Sequence, residues 1–311
     1  MARALWHTAA AGFLFQVATC SAVSAAYVGD LFFPSTLATV VPTPADFYKP
    51  PYFVKLPDTA TTREIDIPTT YSRLVTKDLA VTFTETFRIL EDVNKGTRSG
   101  FDNFVIGAQY ALYTNPEHQF IFTVGGTAAI GGTGSPGIAA PLSTLTPTIY
   151  IGKGFGDLPD SVAWLRPLTI TATAAVAVPT DSTSLITTTL PTGGTTLSEI
   201  INPKILQLGF ALEYSLVTNF YTGPNRTGTR YPEGWVPLVE FTTATPLNGP
   251  NAGRTTGTVN PGVIWVSRYL QVGVEAIIPI NIQSGRDLGV RAQAHLYLPA
   301  IFPGLKPIFG D

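Results

Sequence analysis

Apolar and polar side chains alternate in segments of about ten residues along most of this chain, and this pattern limits the possible folds. In Leu288 to Leu298 every even-numbered residue is apolar, and the odd positions hold Gly289, Arg291, Gln293, His295 and Tyr297. Two further segments separate their side chains in the same way, with polar faces that include Gln271 and Glu275 or Gln207 and Glu213. Because successive side chains of a β-strand point to opposite faces, the pattern predicts strands with a different medium on each side.

Strand length distinguishes a soluble β-sandwich from a membrane barrel. Sandwich strands usually have about five or six residues, whereas about ten residues cross a bilayer when the strand is tilted by about 45°. Only 13% of the residues are charged, against about 25% in an average soluble domain. Since backbone groups in lipid must all be hydrogen-bonded, such strands have to close on themselves. The sequence therefore predicts an all-β fold, a single antiparallel up-and-down transmembrane β-barrel.

Twelve strands are predicted, an even number as in single-chain bacterial barrels. They lie near residues 48–56, 64–75, 79–90, 101–113, 120–131, 145–155, 168–179, 204–216, 236–247, 258–268, 270–281 and 288–302. With both termini in the periplasm, the short turns fall on the periplasmic side, but the connection Val217 to Gly234 is long for that side and has no explanation. Glu85 shares the apolar face of Val81 and Phe83, which predicts a bulge or a lumen-facing register there.

The first 60 residues divide into two parts. Residues 1–25 have the basic, apolar and small-residue regions of a secretory signal peptide; an alternative is a lipoprotein signal in which Cys20 is acylated. Residues 26–60 are rich in proline and aromatic residues. They are expected to form a periplasmic segment, which could include the first strand or fold inward as a partial plug. Residues 61–311 are then the barrel, and the localisation is the outer membrane.

The polar faces identify candidate lumen residues. On the strand faces opposite the apolar ones, these candidates are Gln207, Glu213, Gln271, Glu275, Arg291, Gln293, His295 and Tyr297, with Arg88 on an earlier strand. From the position of the last turn, Glu275 is expected opposite Gln293. These groups either hold one another by hydrogen bonds or select a small solute. Five aromatic residues are expected to form an interfacial girdle near the periplasmic rim: Phe155, Trp164, Trp235, Trp265 and Tyr269.

The sequence offers little support for other chemistry. A net charge of −2 argues against a nucleic-acid partner. The stretch "YIGKGFGDLPDS" from Tyr150 has neither the spacing of a phosphate loop nor a following helix, so its glycines are expected to end a strand at the rim. Ser135 lies in an incomplete nucleophile motif, and we find no metal-ligand spacing. We therefore predict no enzymatic activity, no cofactor and no metal.

Three segments resemble a known family. Thr146 to Pro167, Thr114 to Phe122 and Thr255 to Asn281 are similar to the outer-membrane proteins grouped with the meta-pathway of phenol degradation. The resemblance runs loosely from about Gly29 to the C-terminus. It implies a barrel that lets small compounds pass, including aromatic or hydrophobic ones, and it carries no catalytic residues. The chain differs from most such barrels in not ending with an aromatic residue, since Gly310 and Asp311 follow Phe309.

Three functional hypotheses follow. The first is a channel or facilitated transporter for small, including aromatic or hydrophobic, solutes. The second is a structural or ligand-binding barrel whose lumen is sealed by its N-terminal segment, and the third is an outer-membrane lipid hydrolase that uses Ser135 or His295. The expected partners are outer-membrane lipid, a small-molecule solute and the outer-membrane assembly machinery.

Overall fold

The computed structural model describes residues 27–29, 31–189, 195–216 and 233–310. The predicted signal peptide with Cys20, and most of the connection Val217 to Gly234, lie outside these residues. The strands are β1 (Tyr27–Val28), β2 (Leu31–Phe32), β3 (Phe47–Lys49), β4 (Phe53–Lys55), β5 (Thr62–Leu74), β6 (Leu79–Asp92), β7 (Gly96–Phe101), β8 (Val105–Asn115), β9 (Phe120–Ala129), β10 (Thr144–Gly154), β11 (Leu168–Pro179), β12 (Thr183–Thr189), β13 (Thr195–Ile201), β14 (Ile205–Tyr214), β15 (Gly234–Pro246), β16 (Thr256–Val266), β17 (Leu270–Pro279) and β18 (Gly289–Tyr297). A 3₁₀-helix covers Asp160–Leu165 and helix α1 covers Leu298–Ile301; within the described ranges, neither is long and apolar enough to span a membrane.

The strands close into a barrel with twelve positions in its wall. β3 and β4 together occupy the first position, because both pair with β18 on one side and with β5 on the other. Pro50 and Pro51 interrupt this position, since proline has no backbone N–H to donate. The remaining positions follow in the antiparallel order β5, β6, β8, β9, β10, β11, β14, β15, β16, β17 and β18. The predicted fold and strand number are confirmed.

The two faces of the wall differ as the alternation predicts. Apolar side chains on the outer face remain exposed, among them Val272, Val274, Leu208 and Leu212. Their sequence neighbours on the inner face, such as Gln271, Glu275 and Glu213, are buried. An apolar outside and a polar inside are what a transmembrane barrel requires.

The five predicted girdle residues lie at the end of the barrel that carries the short turns. Trp235 and Trp265 are cross-strand partners, Tyr269 lies in the turn between β16 and β17, and Phe155 and Trp164 lie in the connection from β10 to β11. Trp164, Trp235 and Tyr269 are exposed. Because short turns face the periplasm in such barrels, we call this end periplasmic and the opposite end extracellular. That these side chains anchor the barrel at the lipid interface stays a prediction.

Among the described residues, two extracellular hairpins are not predicted by the alternation. β8 pairs with the periplasmic half of β6, Leu79 to Thr84, and β7 pairs with the extracellular half, Phe87 to Asp92. β12 and β13 pair only with each other among the described residues and form an extracellular ribbon.

The predicted bulge or inward register at Glu85 is wrong. The pairing of β5 with β6 is continuous from Thr62 to Leu74, and Glu85 stays on the outer face with Phe83. Glu85 lies where the strand that pairs with β6 changes from β8 to β7. The irregularity is therefore in the neighbouring strands and not in β6 itself.

Candidate functional site

Residues 31–46, which we call the inner segment, lie inside the barrel. Gly29 lies beside Pro116 in a periplasmic turn, and β3 starts at Phe47 near the same end. Between these points the chain turns where the Thr36 hydroxyl donates to the Thr39 carbonyl, at 2.7 Å. Phe33 and Thr36 have no exposed surface. The inner segment therefore enters from the periplasmic end, turns within the lumen and returns.

A single carboxylate on β15 holds the turn of the inner segment. The Glu240 side chain accepts backbone N–H bonds from Leu37 at 2.9 Å, Ala38 at 2.8 Å and Thr39 at 2.7 Å. It also accepts a bond from the Thr39 hydroxyl at 2.7 Å. Glu240 is fully buried, so these four bonds replace the water that the carboxylate loses on folding.

An amide on β17 bonds to the incoming arm of the inner segment. The Gln271 side chain accepts from the Ser35 N–H at 3.0 Å and donates to the Ser35 carbonyl at 2.5 Å. The Tyr297 hydroxyl donates to the same amide oxygen at 2.7 Å. Two residues from the predicted lumen set, Gln271 and Tyr297, therefore serve to position the chain inside the barrel.

The returning arm of the inner segment bonds to the opposite part of the wall. Side chains of β8, β9 and β5 donate to its backbone carbonyls: Gln109 to Val41 at 3.2 Å, Thr123 to Pro42 at 2.5 Å and Ser72 to Ala45 at 2.7 Å. Arg73 forms an ion pair with the buried Asp46 at 2.5 Å and also donates to the Lys306 carbonyl. Bonds to strands on both sides of the barrel fix the segment across the lumen.

Glycines in the wall make room for the apolar side chains of the inner segment. A Cβ on Gly154 would overlap Leu31, and a Cβ on Gly152 would lie 2.7 Å from Pro42 and 3.0 Å from Phe33. A Cβ on Gly273 would likewise lie 2.6 Å from the Leu37 side chain. β10 ends at Gly154, as expected, and Gly152 lies within the strand. They allow close packing of a second chain segment against the strand.

Lys153, which lies between these glycines, stabilises the periplasmic turn. Its ammonium donates to the His118 carbonyl at 2.6 Å and to Asp157 at 3.1 Å, and lies 5.3 Å from the centre of the Phe155 ring. Burial alone would raise the pKa of Asp157, but hydrogen bonds from Lys153 and His118 outweigh it and hold the pKa below its usual value. The lysine is fully engaged within the protein, which agrees with the absence of a phosphate-loop pattern.

A cavity of about 630 Å³ occupies the extracellular half of the lumen. Ala38, Thr39 and Val40 of the inner segment form its floor. Most of the wall is uncharged, with hydroxyl groups and methyl groups side by side, from Thr127, Thr146, Thr148, Thr173, Thr242, Thr243, Thr256 and Thr258. Gln207 from the predicted lumen set also lines this cavity. The cavity is a mixed polar and apolar surface suited to small uncharged groups.

The last two strands bring together several predicted lumen residues, but in a different register. Glu275 pairs directly with Arg291 across β17 and β18, and their side chains form an ion pair at 2.5 Å. Gln293 lies opposite Gly273, so the expected pairing of Glu275 with Gln293 is wrong by two residues. The connection between the strands is centred slightly earlier than the sequence suggested, and Ser284 is held there by hydrogen bonds to Asn281.

The remaining predicted lumen residues are separate from this pair. Arg88 forms ion pairs with Glu64 at 2.9 Å, Asp66 at 2.8 Å and Asp102 at 3.1 Å. Glu213 is fully buried next to Thr169 on the inner face, and its carboxyl oxygens contact no hydrogen-bond partner in the described part of the chain. The predicted set is therefore spread around the lumen and does not form one cluster.

Sequence reasoning missed several charged lumen residues, among them Glu240 and Lys49. Glu240 shares the inner face of β15 with Val236 and Leu238, which are buried against the inner segment. Apolar residues on an inward face are the signal that something apolar fills the lumen there. Lys49 was hidden because the prolines that follow it obscured the first strand.

The residues proposed for a hydrolase do not come together. The Ser135 hydroxyl accepts the Phe101 N–H at 2.9 Å in an extracellular loop. His295 lies near the periplasmic end of β18, with its ring stacked on Phe47 at 4.6 Å between centroids. A nucleophile and its base must be within hydrogen-bond reach, so this geometry does not support hydrolysis. In the described parts of the chain there is also no group of three or more residues able to hold a metal ion.

Comparisons with known proteins find the same architecture. A COG4313 outer membrane channel from Pseudomonas putida F1 has a TM-score of 0.52 at 10% identity, with 85% of this chain and 98% of that chain covered. The KdgM porin has a TM-score of 0.45 at 10% identity, with 80% and 98% covered. No family model matches, and no curated protein matches either, so the resemblance to the phenol-degradation group stays a prediction. The closed barrel with its apolar outer face is that of an outer-membrane protein.

Proposed function

We propose that this protein is an outer-membrane channel for small solutes, including aromatic or otherwise hydrophobic ones. The observation that carries the proposal is the cavity of about 630 Å³ at the extracellular end. The inner segment closes the periplasmic side of this cavity. A solute that enters this cavity meets threonine hydroxyl and methyl groups, and then the turn held by Glu240. The inner segment acts as a plug whose displacement opens the way to the periplasm.

The second candidate, a sealed barrel, rests on the same inner segment. Its bonds to Glu240, Gln271 and Gln109, together with the buried cluster around Phe33, could hold the lumen closed at all times. In that case no solute crosses the barrel, and the extracellular cavity either binds a ligand or belongs to a purely structural protein. The two candidates differ only in whether the plug leaves its position.

Conductance of the purified full-length protein in planar bilayers distinguishes the two candidates. We expect discrete current steps from the wild-type barrel. After deletion of residues 31–46, we expect current steps of larger amplitude and longer duration. A heat-modifiable shift on gels, measured on each preparation, shows that the barrel is folded. If the folded wild type and the folded deletion variant both fail to conduct, the channel function is refuted. If only the deletion variant conducts, the sealed barrel is supported.

A further inference from the structure

The inner face of β18 presents a row of hydrogen-bond donors to the lumen. Arg291, Gln293 and His295 occupy successive inward positions on this strand. β3 runs alongside with Tyr297 opposite Phe47, and this register places Lys49 beside His295. Electrostatic interaction of Lys49 with both His295 and Arg291 agrees with this proximity. Two cationic side chains and an amide therefore lie on neighbouring parts of the same wall.

Buried polar atoms in this row have no partner. Gln293 is 3% exposed and His295 is 4% exposed, yet both amide atoms of Gln293 and Nδ1 of His295 have no hydrogen bond in the described part of the chain. Buried polar side chains are nearly always hydrogen-bonded in native proteins. Unpaired atoms on adjacent inward positions therefore point to a group that comes from outside the chain.

Lys49 is the cationic side chain of this wall that forms no ion pair with any described residue. Arg291 is neutralised by Glu275 at 2.5 Å, and Glu240 is engaged by the four donors of the inner segment. The Lys49 ammonium has no hydrogen bond or ion pair with any residue in the described ranges; its nearest ring contact is Phe47, at 5.7 Å from the centroid. Lys49 is only half-buried, so a ligand can approach it. A buried charge is costly unless it is paired.

An apolar surface adjoins these donors. The Phe47 ring stacks on His295 with centroids 4.6 Å apart, and the Tyr297 ring lies 5.1 Å from His295. A ligand that offers an anionic group to Lys49 therefore places its remaining atoms against aromatic rings. A carboxylate has two oxygen atoms, one for an ammonium and one for an amide N–H.

We propose that Lys49 and Gln293 bind the carboxylate of a small organic acid whose apolar body packs on Phe47. This proposal rests on the proposed channel function and defines a class of solute for it.

The test is binding of benzoate to the full-length protein in detergent at pH 6.5, where Lys49 is protonated and benzoate is ionised, measured by isothermal titration calorimetry and by thermal unfolding. Benzamide, which has the same shape without the charge, is the matched ligand. We expect benzoate to bind and to raise the unfolding midpoint, and benzamide to bind at least about tenfold more weakly, because a charge-assisted bond is worth more than a neutral one. Equal binding of the two ligands, or no binding of benzoate, would overturn the proposal.

Variants locate the site. Lys49→Gln should weaken benzoate binding by about tenfold or more and leave benzamide unaffected, whereas Lys49→Arg should retain most of the benzoate affinity. Lys77→Gln is the matched control, because that lysine side chain is 83% exposed in a periplasmic turn. Undiminished benzoate binding to folded Lys49→Gln would contradict the proposal. If this variant does not fold, the comparison of benzoate with benzamide on the wild type still decides.

Bilayer conductance of the same wild-type preparation separates the two proposals. A protein that conducts but does not distinguish benzoate from benzamide keeps its channel function and loses the carboxylate site. A protein that binds benzoate through Lys49 but never conducts keeps the site and is a sealed, ligand-binding barrel.

Discussion

Glu240→Gln should release the turn of the inner segment without unfolding the barrel. In the wild type this carboxylate accepts four hydrogen bonds, all from residues 37–39. A glutamine has one acceptor oxygen, which can accept about two of these hydrogen bonds. Its NH₂ group is itself a donor, so it cannot accept the remaining bonds. Since hydrogen bonds to charged groups contribute about 1.5–3 kcal/mol each, the loss of two amounts to about 3–6 kcal/mol. The ratio of bound to released turn should fall by about 10²- to 10⁴-fold.

Single-channel recording in planar bilayers measures this release. We expect Glu240→Gln to show a larger fraction of time in conducting states than the wild type, and limited proteolysis should cut within residues 31–46 faster. Glu117→Gln is the matched control, because Glu117 is exposed in a periplasmic turn. Both variants should keep the heat-modifiable gel shift, because the four hydrogen bonds that the substitution weakens go to the inner segment, while the backbone pairing of β15 with β14 and β16 remains. A folded Glu240→Gln barrel with wild-type conductance and wild-type protease resistance would refute the reasoning.

Two further changes test the packing and the rim. Gly154→Ala should displace Leu31 and expose the inner segment to protease, because the added methyl overlaps that side chain, and Leu31→Ala in the same chain should restore resistance; resistance of the single variant would contradict the close fit. Asp157, whose pKa is held below the ordinary 3.8, contributes stability that is complete above that value and is lost as the pH falls through the lower, folded-state value. The unfolding midpoint of Asp157→Asn should therefore lie below that of the wild type at pH 7, and the difference should shrink as the pH falls below 3.8; a constant difference would show that the charge is not responsible.

The barrel could be predicted from the sequence because lipid and lumen impose opposite demands on adjacent residues. All twelve predicted wall positions are found, and β11, for example, has the predicted bounds of 168–179. The ribbon of β12 and β13 was missed because both its faces are exposed to the same medium: Leu197 and Glu199 lie on one face, Ser198 and Ile200 lie on the other, and all four are exposed. Without two different media, a strand needs no alternation, and threonine-rich sequence shows none.

Apolar residues on the inner face of β15 and β16 are a second departure from the alternation, and they have a different cause. Ile264 and Val266 of β16 and Val236 of β15 face inward and are buried in the cluster around Phe33. A lumen filled with water would disfavour these residues, but a lumen filled by an apolar chain segment requires them. Both departures from the alternation therefore follow from the medium on each side of the strand, and the structure shows that part of the lumen is filled by protein.

The glycines of "YIGKGFGDLPDS" show why the sequence left open whether residues 26–60 fold inward as a plug. Gly152 and Gly154 have ordinary strand conformations, since neither is among the residues with positive φ. Backbone freedom therefore does not explain them; the absence of a Cβ does, because Leu31, Phe33 and Pro42 occupy that space. The two halves of this fit lie more than 100 residues apart, and each alone has an ordinary interpretation, as a strand end or as a proline-rich leader. Complementary shape between distant segments leaves no periodicity in either, so it becomes visible only when the closed barrel brings them into contact.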